Sequence, residues 1–268
     1  AEPESAEIRK VRVEKTLKSN HYSRHQLNRA ICEVKFLTQL AIDSRRDLIQ
    51  SDLASAFPVV RQQKEAGIEL KLPEGVTRQV EERALYQFLD NESSPTKVLT
   101  LTNERIALEL INNSFQTFED FKKIFLKIWK IVNKHAEIKD TSIRRSGLRY
   151  INKFTQTGLN GLECKKSPQE VYWECFFNHK WLPSEISQDQ WYSEDRITDA
   201  KNAIAITIRT AYTKANEPFS ILDIDSFRAF SAEKPTNAAI DKTIDELHRS
   251  NKFWFEMTIN DELKVKMK

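Results

Sequence analysis

Two arginines and two aspartates carry the spacing most suited to chemistry. In residues 143–152 (IRRSGLRYIN) alternate side chains of a strand share a face, so Arg145, Gly147 and Arg149 line up with Ile143 and Ile151. Glycine weakens a strand interior and marks a place where something approaches closely. Two guanidiniums flanking that gap can grip a carboxylate or phosphate through paired N–H groups. Arg144 adds charge on the opposite face, and Tyr150 completes the binding candidates of this segment. In residues 221–227 (ILDIDSF), Asp223 and Asp225 stand two apart, so their carboxylates point the same way. Two such charges need a cation, an arginine or solvent between them. A divalent metal such as Mg²⁺ suits two carboxylates plus a substrate phosphate. The competing, purely structural reading pairs Arg145 and Arg149 with these aspartates on neighbouring strands. No residue is assigned as catalytic or metal-binding, and no cofactor is expected.

Other chemistries lack their residues. Five glycines occur in 268 residues, against a usual share of ~7%. None cluster as a phosphate-cradling loop requires, which argues against P-loop and dinucleotide sites. Neither H-E-x-x-H nor G-x-S-x-G occurs. His21 and His25 have the four-residue spacing of two ligands on one helix face but no acidic or cysteine partner nearby. His248 reads as a cation at a helix C-terminus. Cys32, Cys164 and Cys175 form no C-x-x-C pair and read as reduced thiols, as in a cytoplasmic protein. Tyr172, Trp173, Phe176, Phe177, Trp181, Trp191 and Tyr192 read mostly as core, with Trp181 and Trp191 placed to stack a base or meet a partner.

The elements that must hold these residues follow from composition and pattern. The chain is 40% hydrophobic and 30% charged with a net charge of +3, globular and too balanced to announce a nucleic-acid binder. No apolar run reaches membrane-spanning length and no signal-peptide core opens the chain. Residues 1–21 read as a flexible lead-in to a single α+β domain over 22–268, with two pseudo-equivalent halves, 22–160 and 161–268, as a variant. Residues 30–36 (AICEVKF) alternate as a half-buried strand. Ser44 suits a helix cap, Leu48, Ile49, Leu53, Ala56 and Phe57 recur at helical spacing, and Pro58 stops that helix. Strands are expected over 67–72, where Ile68, Leu70 and Leu72 share a face, and over 84–89, 97–102 and 105–110. Their short connections make an antiparallel meander.

Thr117 caps an expected helix to residue 137, with a stripe of Phe118, Phe121, Ile124, Phe125, Ile128, Val132 and His135. Lys122, Lys123, Lys127 and Lys130 fall off the stripe as a solvated face. Asn160-Gly161 marks a turn, 171–178 a central strand and 183–193 a loop or short helix. Residues 201–213 form a strand with Ile204, Ile206 and Ile208 inward. A last helix begins near Asn237 with Ile240, Ile244, Leu247 and Asn251 on one side, followed by a terminal segment over 253–263. The order gives a large, mainly antiparallel sheet with helices on one face.

The segment Arg145-Ser146-Gly147-Leu148-Arg149-Tyr150-Ile151-Asn152 resembles the R-x-G-L-R-Y-I-N strand of a sporadically distributed bacterial family of uncharacterised proteins. Residues 30–36, the T-F-E-D-F start at 117–121, L-D-I-D at 222–225 and the ending Leu247-His248…Phe255…Thr258-Ile259-Asn260-Asp261-Glu262-Leu263 resemble it too, together spanning 22–263. The chain departs at His25-Gln26-Leu27-Asn28, where that family tends to carry a proline. The resemblance implies a fold unit and no reaction. The family's patchy distribution implies a mobile-element or phage-defence gene cluster.

The function expected is a non-catalytic binding or regulatory protein that holds a protein partner, or a nucleic acid, away from membranes, through the anion-binding Arg145/Arg149 face or the aromatic segment. The alternative is a metal-dependent enzyme acting on phosphate esters or nucleic acid, using Asp223 and Asp225 with Arg145 and Arg149. A third reading is a sensor of a small anionic ligand.

Overall fold

The computed structural model describes residues 5–17, 22, 26–69, 79–112, 114–136, 138, 143–155, 171, 190–213, 219–230 and 236–268. The elements, in chain order, are α1 (Ala6–Thr16), β1 (Leu27–Phe36), α2 (Ile42–Leu53), β2 (Val59–Glu69), β3 (Gln79–Leu89), β4 (Lys97–Thr102), β5 (Arg105–Leu110), α3 (Phe118–His135), β6 (Ile143–Thr155), β7 (Gln190–Asp199), β8 (Ile204–Thr213), β9 (Phe219–Ala229), α4 (Asn237–Thr258) and α5 (Asp261–Met267). The fold is α+β. Among the described residues nine strands form one antiparallel sheet in the order β2-β3-β4-β5-β1-β6-β9-β8-β7. No helix among the described residues is long and apolar enough to cross a membrane.

The chain forms two compact units, and they do not divide near residue 160. One comprises residues 1–30, 148–228 and 245–268, the other 31–147 and 229–244. Among the described elements, β1 precedes the β2–β5 meander and α3, and β6 precedes the β7–β9 meander and α4. In each series the last meander strand lies beside the first strand, β5 beside β1 and β9 beside β6.

In the second unit the α3 stripe behaves as its period requires. Phe118, Phe121, Phe125, Ile128 and Val132 are buried, and Thr117 caps the helix by accepting from the Asp120 N–H at 3.1 Å. Trp129, absent from the expected stripe, is fully buried and donates from Nε1 to Asn237 Oδ1 at 2.8 Å. Lys123, Lys127 and Lys130 are exposed, as a solvated face requires, whereas Lys122 is half-buried and pairs with Asp241 at 2.7 Å. Ser44 does not cap α2. The helix begins at Ile42 with Ala41 at its cap, and Ser44 instead donates to the Ala41 carbonyl. Cys32 is buried in β1, and burial pushes its thiol pKa up, which keeps it protonated. The expected 67–72 strand begins earlier, at Val59, while Leu70 and Leu72 lie outside the described residues. The same holds for Cys164, Cys175, His21, His25, the 160–161 turn, the aromatics at 172–181 and all of the 171–178 segment except Val171.

In the first unit the segment expected to be a flexible lead-in contains α1. Its composition is polar because only a narrow stripe is needed: Arg9 and Val13, four apart, are both 1% exposed. Arg9 lies against the end of α4. Its Nε donates to the Met257 carbonyl at 2.9 Å, its Nη2 to the Glu256 and Ile259 carbonyls, and its Nη1 to Asp261 at 3.1 Å. The last carbonyls of a helix lack intrahelical donors, and buried ones must find partners elsewhere. Lys264 on α5 adds a bond to the Glu256 carbonyl and one to Asp261 at 2.8 Å. Burial lowers the pKa of this ammonium, while Asp261 opposes the shift. Burial also acts to raise the Asp261 carboxyl, but Arg12 and Lys264 overcome it and bring the pKa to about 2.

Arg9→Ala should lower the unfolding free energy by about 3 kcal/mol in urea titration, because it strips donors from buried carbonyls. A loss below measurement would contradict this capping role. For Asp261 the folded pKa lies below its ordinary 3.8, so its stabilisation is complete above that value and disappears as pH falls toward about 2. The stability difference between the wild type and Asp261→Asn should shrink across that window.

Candidate functional site

The alternation of β6 holds from residue 148 onward, and Gly147 is buried on the arginine side. Ser146, Leu148, Tyr150, Asn152 and Phe154 are buried, and Arg145, Arg149, Ile151 and Lys153 are half-buried. Tyr150 therefore lies on the opposite face from Arg149. Its hydroxyl is 2.9 Å from His248 Nδ1 on α4, with the two rings edge to face. Asn251 anchors the same helix by donating to the Leu148 carbonyl at 2.9 Å. Arg145 and Gly147 belong to the second unit; Arg149, Tyr150, Asp223 and Asp225 belong to the first.

Arg149 and Asp223 meet. Arg149 donates from Nε to Asp223 Oδ1 at 2.8 Å and from Nη2 to Oδ2 at 2.6 Å, a two-pronged pair. The neighbouring strand adds a second guanidinium, with Arg209 Nη1 at 3.2 Å from Asp223 Oδ2. The register requires this, because Arg209 on β8 stands opposite Asp223 on β9 and opposite Glu194 on β7. Arg209 also donates from Nε to Glu194 at 2.8 Å, and Arg196 donates to the other Glu194 oxygen at 2.8 Å. Five groups thus alternate in sign across four adjacent strands: Arg149, Asp223, Arg209, Glu194 and Arg196.

Protonation follows from this ladder. The bond to Asp223 raises the Arg149 pKa further. Burial acts to lower that of Arg209, but Glu194 and Asp223 reverse the sign. The hydrogen bonds from Arg209 and then Arg196 hold the Glu194 carboxyl below its ordinary range. Arg149, Arg209 and Glu194 therefore stay charged at neutral pH. The Asp223 side chain is 6% exposed and both its oxygens accept from guanidiniums, so it is poorly placed to bind a cation. Asp225 lies on the same face, opposite Thr207, and is half-buried. Among the described residues no group of three His, Cys, Asp or Glu side chains is arranged to hold a metal ion.

Arg209, Glu194 and Arg196 were missing from the expected set. Arg209 was legible, since it alternates with Ile206 and Ile208 and so must face away from them. The other two were not, because 183–193 reads as a loop whereas β7 occupies 190–199. This is an edge strand whose residues 192–196 (YSEDR) are polar on both faces, so it lacks the apolar alternation that reveals a half-buried strand. No protein-family model and no curated protein matches this chain.

Arg149→Ala should cost about 1–2 kcal/mol and Asp223→Ala about 2–3 kcal/mol, the second leaving two guanidiniums face to face. In a double-mutant cycle the pair should show a coupling of about 1 kcal/mol or more, and additive losses would show that the contact contributes little.

Proposed function

We propose that this chain is a non-catalytic binding protein that holds a protein partner on the ladder face of β6, β9, β8 and β7. The observation that carries this reading is the closure of Asp223 by two guanidiniums, which turns the acid pair from a reactive feature into a structural one. The ladder fixes arginine side chains whose outer edges remain accessible. Arg149 is 39% and Arg196 80% exposed, and Tyr192 projects at 63% on the same side of β7, opposite Ala211. Prepositioned Arg and Tyr suit protein recognition, since little side-chain entropy remains to be lost on binding.

Charge favours protein over nucleic acid. The three arginines of the ladder face Asp223 and Glu194, with Asp225 on the same face, whereas phosphate backbones select a clear excess of cations. The partner expected is a surface with a few carboxylates for Arg196 and Arg149 and an apolar contact for Tyr192. The likeness of residues 145–152 to a patchily distributed bacterial family supports a setting in defence or mobile-element gene clusters.

The alternative, a metal-dependent phosphoesterase using Asp223 and Asp225 with Arg145 and Arg149, draws its support from the same aspartate pair. It requires Asp223 to exchange two guanidiniums for a cation. A photo-crosslinking residue in place of Tyr192 should capture one discrete protein in the native host, and Arg196→Glu should abolish that capture. Labelling that is diffuse, or indifferent to Arg196→Glu, would refute the binding face. Mg²⁺-dependent phosphodiester cleavage abolished by Asp225→Asn would establish the enzyme instead.

A further inference from the structure

A second feature of the first unit is independent of the ladder. A cavity of about 660 Å³ opens among α1, α4 and the β7–β8 turn. That lies within the roughly 300–1,000 Å³ typical of small-molecule sites. Leu17, Ile197, Ile204, Phe253 and Trp254 supply its apolar lining. Phe253 and Trp254 meet edge to face with ring centres 5.3 Å apart. Both rings are only partly buried, so each keeps an edge or face toward open space.

The charges around the opening are unevenly engaged. Asp199 is held inside the turn, accepting from the Lys201 and Asn202 backbone N–H groups and the Asn202 amide. Glu246 is paired with Arg228 at 2.6 Å. Lys10, Lys201 and Arg249 also line the cavity and are exposed, and among the described residues no hydrogen bond or ion pair holds their side-chain cations. Glu14 is the one lining carboxylate left in the same condition. Three cations without a partner face one carboxylate without one; with Asp199, whose turn hydrogen bonds come from neutral groups, and the Glu246–Arg228 pair also counted, the excess is one positive charge beside an apolar, partly aromatic floor.

From this juxtaposition we infer that the cavity is a binding site for a small organic anion with an aromatic or apolar body, its negative group held by Lys10, Lys201 and Arg249. The rings take the body because exposed aromatic surface gains most by burial. The cations take the head because none must first leave an internal partner. Arg9 fixes α1 and so sets the position of Lys10 one residue along.

The probe is 8-anilinonaphthalene-1-sulfonate, titrated by fluorescence against the folded full chain. One saturable site is expected, with the neutral analogue N-phenyl-1-naphthylamine binding at least about tenfold more weakly. Combined Lys201→Glu and Arg249→Glu should weaken the sulfonate by about tenfold or more and leave the neutral analogue unchanged. Arg196→Glu, outside the cavity, should change neither. If charge reversal impairs folding, Lys201→Gln with Arg249→Gln replaces it and a several-fold weakening is expected. Absence of saturable binding, equal affinity for the neutral analogue, or indifference to the substitutions at 201 and 249 would each overturn the inference.

Discussion

The carboxylate of Asp223, clamped between two guanidiniums, is the interaction on which the character of the ladder face depends. Burying a carboxylate is costly unless it is paired and hydrogen-bonded, and the Asp223 side chain is 6% exposed. β6 and β8, on either side of β9, each contribute one arginine at the matching height. A one-residue slip of any of the three strands would send one charge to the apolar face and leave its partner unpaired. The same contacts that neutralise Asp223 therefore oppose register error. They also fix the outward edges of Arg149 and, through Glu194, of Arg196.

The opposite face of these strands follows a different logic. Leu148, Ile206, Ile208, Leu222 and Ile224 are buried, and α4 contributes Leu247 and the fully buried Asn251. The buried Asn251 donates from Nδ2 to a carbonyl of β6. The end of α4 would then present unsatisfied carbonyls, and Arg9 and Lys264 supply the missing donors. An arginine long enough to reach several carbonyls at once explains why α1, polar along most of its length, docks at all.

Legibility in the sequence divides along physical lines. Where one face is buried and the other is wet, period alone sufficed: α3, β6, β8 and β9 lie close to where their apolar positions place them. The pairing of Arg149 with Asp223 was visible as one of two readings, because parity puts both residues on half-polar faces. Choosing between the readings required knowing that β6 and β9 are neighbours, which no local pattern encodes. β7 and α1 stayed hidden for the same reason. Each is held by polar contacts to distant residues, Glu194 to Arg209 and Arg9 to the end of α4, and polar side chains leave no periodic mark. Trp129 escaped the α3 stripe although its spacing fits, since an indole between Lys127 and Lys130 reads as surface. Its bond to Asn237 is what permits burial.

The most direct test of the central claim is the side-chain Nε–H NMR signal of Arg149 at neutral pH. Guanidiniums locked on a carboxylate should show Nε–H protons protected from solvent exchange, and Asp223→Asn should remove the Arg149 protection while preserving the backbone spectrum. Exchange as fast as in an unstructured peptide, or protection indifferent to Asp223→Asn, would mean that the carboxylate is not clamped and that the acid pair remains open to other chemistry.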